Sequence, residues 1–158
     1  MKNEASDLDA QCVRVVDPLK ASLTIDKEVI EFEGDRVHFS PGSGRMILRA
    51  LQDEGEGEDR SALVIDIYLP RTEEKKEFEI RLPEFMTDPQ ISALNVRSIL
   101  SNHWSGFASS GEASVLYVTD TQVSISSVDA SGVLNDGRPF KVIIEPFSYS
   151  QADTPGKR

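Results

Sequence analysis

Apolar residues recur at every second position through much of the chain. Ala21, Leu23 and Ile25 alternate with Ser22 and Thr24, Ile30 and Phe32 with Glu31 and Glu33, and Val37 and Phe39 with Arg36 and His38. Met46, Leu48 and Ala50 share one parity. So do Leu63, Ile65, Ile67 and Leu69, with Asp66 and Tyr68 on the other. Phe78, Ile80 and Leu82 alternate with Glu77, Glu79 and Arg81. Side chains of a strand point to opposite faces in turn, so a period of two marks strands with one buried face. A short apolar run from Cys12 to Val16 opens the series. After residue 111 the pattern resumes through 113–119, then Val123 and Ile125 among serines, then 140–147 with Val142, Ile143 and Ile144.

The punctuation agrees. Gly34-Asp35, the stretches 40–44 and 129–132, and Asn135-Asp136-Gly137 read as turns, because glycine admits positive φ and proline fixes φ. Leu69-Pro70 and Leu82-Pro83 mark strand ends. Such short connections favour antiparallel hairpins over crossover helices. One segment breaks the period. Thr87, Asp88 and Pro89 form a helix-start signal, followed by Ile91, Leu94, Ile99, Leu100 and Trp104 at helical spacings, with Val96 off the stripe. This predicts a helix over 88–103, ended by Ser105-Gly106, and a loop over 105–111.

The expected fold is mainly β, α+β at the margin: an antiparallel barrel or sandwich of about nine strands, with the one helix packed on an end or face. One β-rich domain is expected over 11–147, between disordered segments at 1–10 and 148–158.

Charge narrows the partners. Among 158 residues, 17 basic against 27 acidic side chains leave a net charge of −10. Phosphate binding rests on Lys and Arg, so nucleic acid and anionic membrane are disfavoured. No apolar stretch approaches the roughly 18 residues of a membrane helix. The single Cys12 excludes an intramolecular disulfide framework. With no apolar leader near residue 1, the expected compartment is the cytoplasm.

Candidate chemistry is sparse. His38 and His103 stand 65 positions apart without a cysteine pair, so no structural zinc site is expected; His38 should face solvent and His103 should sit at a helix end. Asp53, Glu54, Glu56, Glu58 and Asp59 offer carboxylates to calcium but lack the spacing of an EF-hand, and a solvated hairpin loop is the simpler expectation. The segment 40–45 lacks the Gly-Lys-Ser/Thr ending of a P-loop, and 106–111 is not a Gly-x-Ser-x-Gly elbow. Cys12 is expected as a core thiol rather than a nucleophile paired with either histidine. Trp104 and Phe107 are the candidate partner-binding residues, since aromatics anchor interfaces, although a Trp at such a junction more often seals a core. The serines and threonines of 119–127 suggest a polar sheet face.

No catalytic residue, cofactor or metal is assigned. The leading expectation is a non-catalytic acidic protein-interaction module: an adaptor, an assembly subunit, or an inhibitor or immunity-type protein. Its charge admits a basic protein partner, and exposed strand edges admit homo-oligomerisation. The alternatives are a small-ligand-binding β-barrel and an enzyme whose site is assembled from separate loops.

Overall fold

A computed structural model describes residues 12–54, 61–99 and 104–151, the side chains of Glu54 and Ser61 aside. The strands are β1 (Val13–Ile25), β2 (Glu28–Gly42), β3 (Arg45–Glu54), β4 (Ser61–Leu69), β5 (Lys76–Ile80), β6 (Ile91–Ile99), β7 (Trp104–Val118), β8 (Gln122–Val133), β9 (Pro139–Ile144) and β10 (Phe147–Ser150). Eight of them close a ring of antiparallel pairs, β1-β2-β3-β4-β6-β7-β8-β9 and back to β1. The fold is therefore mainly β, and the closure makes it a barrel. β5 wedges between β6 and β7, parallel to the first and antiparallel to the second. β10 pairs with the start of β8, while β9 pairs with its later half.

Period-two patterning places the core. Leu19, Leu23, Phe32, Met46, Leu48, Ile65, Ile67, Leu94 and Ile125 are fully buried and pack into the interior. Close packing also explains Gly34, read as a turn in the sequence. It lies inside β2 opposite Leu19, and a Cβ there would come within 2.9 Å of Ala50 and of the Phe32 ring. The inward parity of β2 switches just after it, from Phe32 to Val37, where the β1 pairing skips from Arg14 to Leu19 across Pro18. A bulge of this kind accommodates a proline and re-aims the side chains that follow.

The predicted helix near 88–103 is not formed. Residues 91–99 are β6, the middle strand of three in the wall. The reason lies in its two buried faces. Leu94 and Val96 point into the barrel, while Ile91, Ala93 and Ile99 are buried on the outside. A strand buried on both sides loses its alternation, and its apolar residues then fall by chance at helical intervals. Asp88 and Pro89 belong instead to the connection that follows the 3-10 turn Pro83–Phe85. Residues 100–103, including His103, lie outside the described residues.

The predicted loop over 105–111 is likewise part of β7. Gly111 has φ 143°, and a Cβ there would approach the Asp129 carbonyl oxygen of β8 to 2.3 Å. Glycine permits this contact between two backbones. The stretch 129–132 lies within β8 and not in a turn; the reversal comes at Asn135-Asp136-Gly137, as read. The loose tail expected from Ser148 is occupied up to Ser150 by β10, whose Phe147 and Tyr149 are buried, Tyr149 edge-on to Phe39.

Candidate binding face

The registers carry one row of side chains across the outside of five strands. His38 of β2 pairs with Arg49 of β3, Arg49 with Asp66 of β4, Asp66 with Asn95 of β6, and Asn95 with Phe107 of β7. All five have outward parity, because their neighbours Val37, Leu48, Ile65, Leu94 and Ala108 face the core. The next row holds Arg36, Leu51, Val64, Arg97 and Ser105; the row on the other side holds Ser40, Ile47, Tyr68 and Ala93.

Asp66 is the electrostatic centre. Its carboxylate is 4% exposed and lies between two guanidiniums: Arg49 Nε donates to Oδ1 at 2.7 Å, and Arg97 Nη2 stands 3.5 Å from Oδ2. Arg36 is paired with Asp53. Both guanidiniums thus reach Asp66 in the middle of the row. Among the described residues, Arg97 Nε is buried without a hydrogen-bond acceptor. Tyr68 and Phe107 are half-buried, with ring centroids 6.5 Å apart and planes inclined by 45°. Burial first, and then the Asp66 charge, push the Tyr68 phenol above its ordinary range, while Arg49 and Arg97 oppose the shift. The phenol therefore stays protonated at neutral pH and remains a donor.

The row forms the floor of a trough. At one end, Leu51, Ala62, Val64 and Ile99 make a second buried cluster against which Cys12 packs. At the other, the connection 81–90 folds against the barrel and is fixed by Arg45. That guanidinium is almost fully buried and donates to four backbone carbonyls: Nε to Ile91 at 2.7 Å, Nη1 to Ser43 at 3.1 Å, and Nη2 to Met86 at 3.1 Å and Asp88 at 2.6 Å. Burial lowers its pKa, partly offset by Asp88. Between this connection and the aromatic pair lies a cavity of about 350 Å³ lined by Ser43, Tyr68, Pro83, Met86, Thr87 and Phe107.

The two aromatics singled out in the sequence part company here. Phe107 faces outward in the trough. Trp104, three residues earlier on the same strand, has inward parity opposite Ser98 and packs on the core. His38 is half-exposed at the head of the row, and Cys12 lies on the same side of the barrel. Of the acidic run, Asp53 pairs with Arg36, and residues 55–60 lie outside the described residues. Among the described residues, no three His, Cys, Asp or Glu side chains converge as a metal site would require. Sequence reading missed Arg49, Asp66, Arg97 and Tyr68. The available signal was their polar identity at outward positions of strands whose other parity is largely apolar.

A different wall carries a row of acids. Glu79 of β5, Glu112 of β7 and Asp129 of β8 stand abreast as direct cross-strand neighbours, all exposed.

No family model matches the chain, and no curated protein matches it. A solved structure of a redesigned β-barrel is similar at 12% identity over 92% of this chain and 96% of that one, with a TM-score of 0.36. No helix among the described residues is long and apolar enough to cross a membrane.

Proposed function

We propose that the protein is a non-catalytic interaction module whose docking face is the trough over β2, β3, β4, β6 and β7. The observation that carries this reading is the half-exposed set Arg49, Arg97, Tyr68 and Phe107 on the outside of a barrel whose inside is packed with side chains. Tyr, Phe and Arg are the residue types enriched at the centres of protein interfaces. A ligand-binding barrel would keep its interior open, and here large aliphatic and aromatic side chains occupy it. A lipid-facing barrel would need an apolar outer band, and here Glu79, Glu112 and Asp129 share one outer row. These features support a protein partner met in water.

The test is affinity capture from cells with the tagged chain and its Phe107→Ala variant. A stoichiometric protein retained by the first and lost by the second is the expected result. Equal capture by both removes the trough from the reading.

The basic partner suggested by composition has its own place. Three carboxylates abreast repel one another, and a basic surface would relieve that repulsion. If this wall is the docking face, Glu112→Lys should abolish capture where Phe107→Ala does not. For self-association, β10 offers an open edge, since it pairs only with β8. Four residues make it a short edge.

A further inference from the structure

We infer that a second copy of this chain docks at the aromatic end of the trough, Phe85 of each copy entering the cavity of the other. The inference rests on the trough being the docking face, and it names the partner.

Shape gives the first argument. Phe85 is 42% exposed, and it is the one aromatic side chain left exposed among the described residues. Its neighbours Pro83 and Met86 line the cavity together with Tyr68 and Phe107. An exposed ring and an aromatic-walled hollow thus stand side by side on one face. The hollow measures about 350 Å³, whereas a cavity of roughly 150 Å³ already takes up benzene. A phenyl ring entering it meets two aromatic rings and the Met86 thioether, each a favourable contact.

Rigidity gives the second argument. Arg45 donates to the carbonyls of Met86 and Asp88 on either side of Thr87. The ledge also bonds within itself, the Phe85 amide to the Leu82 carbonyl and the Met86 amide to that of Pro83. The Arg81 guanidinium lies over the Phe85 ring, 4.4 Å from its centroid. A ring already held in place loses less freedom when it binds.

Symmetry joins the two. A two-fold axis running between Phe85 and the cavity sets the ring of each copy against the hollow of the other. Such a contact is isologous, so both rings and both hollows are used at once and assembly stops at the pair. The cavity lining carries no charge at neutral pH, for the remaining residues are Ser43 and Thr87. The contact is therefore apolar, while two chains of net charge −10 repel as they approach. Salt screens that repulsion and leaves the apolar contact in place.

The test is sedimentation velocity of the full chain over a range of concentrations, at about 0.05 M and about 0.5 M salt, a span over which screening changes several-fold. The expected result is a monomer–dimer equilibrium with no larger species, tighter at the higher salt. Phe85→Ala should weaken the dimer at least about tenfold, because two half-covered rings lose their burial. Thr87→Trp, whose indole occupies the cavity, should do the same, while Ile143→Ala on the exposed outside of β9 should dimerise as the parent does. Mixing Phe85→Ala with Thr87→Trp should restore part of the affinity, since the mixed pair keeps one ring in one hollow; a variant that merely misfolded could not be rescued in this way. A chain that stays monomeric, assembly beyond the dimer, a dimer weakened by salt, or one indifferent to Phe85→Ala overturns this inference. The docking face then stands or falls on the Phe107→Ala capture alone.

Discussion

Arg45 sits at an outward strand position, where an arginine is normally left in water. Here its stem and head are covered, and its donors satisfy four carbonyls that belong to three separate stretches of chain. Removing it takes a donor from each of those carbonyls in a place that water reaches poorly, although that of Asp88 keeps a backbone donor, the Ile91 amide at 3.2 Å. Arg45→Ala should cost about 3 kcal/mol in denaturant unfolding, in line with hydrogen bonds to a charged group. Arg45→Lys should recover only part of that, since an ammonium lacks the planar fork. Tyr68 yields a pH effect at the same scale. A phenol whose pKa is raised by folding contributes stability that is whole below the unfolded value of about 10 and is lost as pH rises through the folded one. Thermal midpoints should therefore fall faster in alkali for the parent than for Tyr68→Phe, with the two equal at neutral pH.

Among the elements, β6 is the instructive one. It carries a helix-start signal and helical spacings, yet it is a wall strand with neighbours on both edges. Propensity is a weak prior, and burial on both faces overrides it. The amides of 91–99 that donate within the ladder should exchange only through global unfolding, with protection equal to that of β4. Exchange at the rate of a fraying segment would contradict the placement. β7 and β8 show the same limit of local reading. Gly106, Gly111 and Gly132 look like loop punctuation, but each lies where one strand runs close against the other. Glycine marks a close approach as readily as a turn.

For the molecule as a whole, the decisive feature is how charge is distributed around a closed wall. Three carboxylates stand abreast on the β5, β7 and β8 side in the row Glu79, Glu112 and Asp129, while Arg49 and Arg97 occupy the trough. Like charges on directly facing strand positions oppose folding. Glu112→Gln should therefore stabilise the fold by a few tenths of a kcal/mol, more at low salt than at high, because exposed repulsion is screened within about 10 Å at 0.1 M. A loss of stability in that variant would mean that the carboxylate has a structural partner. Barrel closure adds a second whole-molecule property. It leaves little strand edge for unselective pairing, and the seam beside β10 is bridged by Gln151, whose amide donates to the Phe39 carbonyl at 3.1 Å.

By itself the sequence determined the β character, most strand positions, the inward set from Leu23 to Ile144, and the net acidity. Each of these follows from a local rule, the two-residue period or a count. The sequence singles out Phe107 as an aromatic at a helix-to-loop junction, where the structure has strand β7. The tertiary structure alone decided that the sheet closes and that 91–99 is a strand. It alone set Trp104 inward and Phe107 outward, and aligned His38, Arg49, Asp66, Asn95 and Phe107 in one row. Those facts depend on register between strands distant in sequence. A shift of one residue in any pairing would turn a strand's side chains to the other face, and no local pattern records which register long-range packing selects.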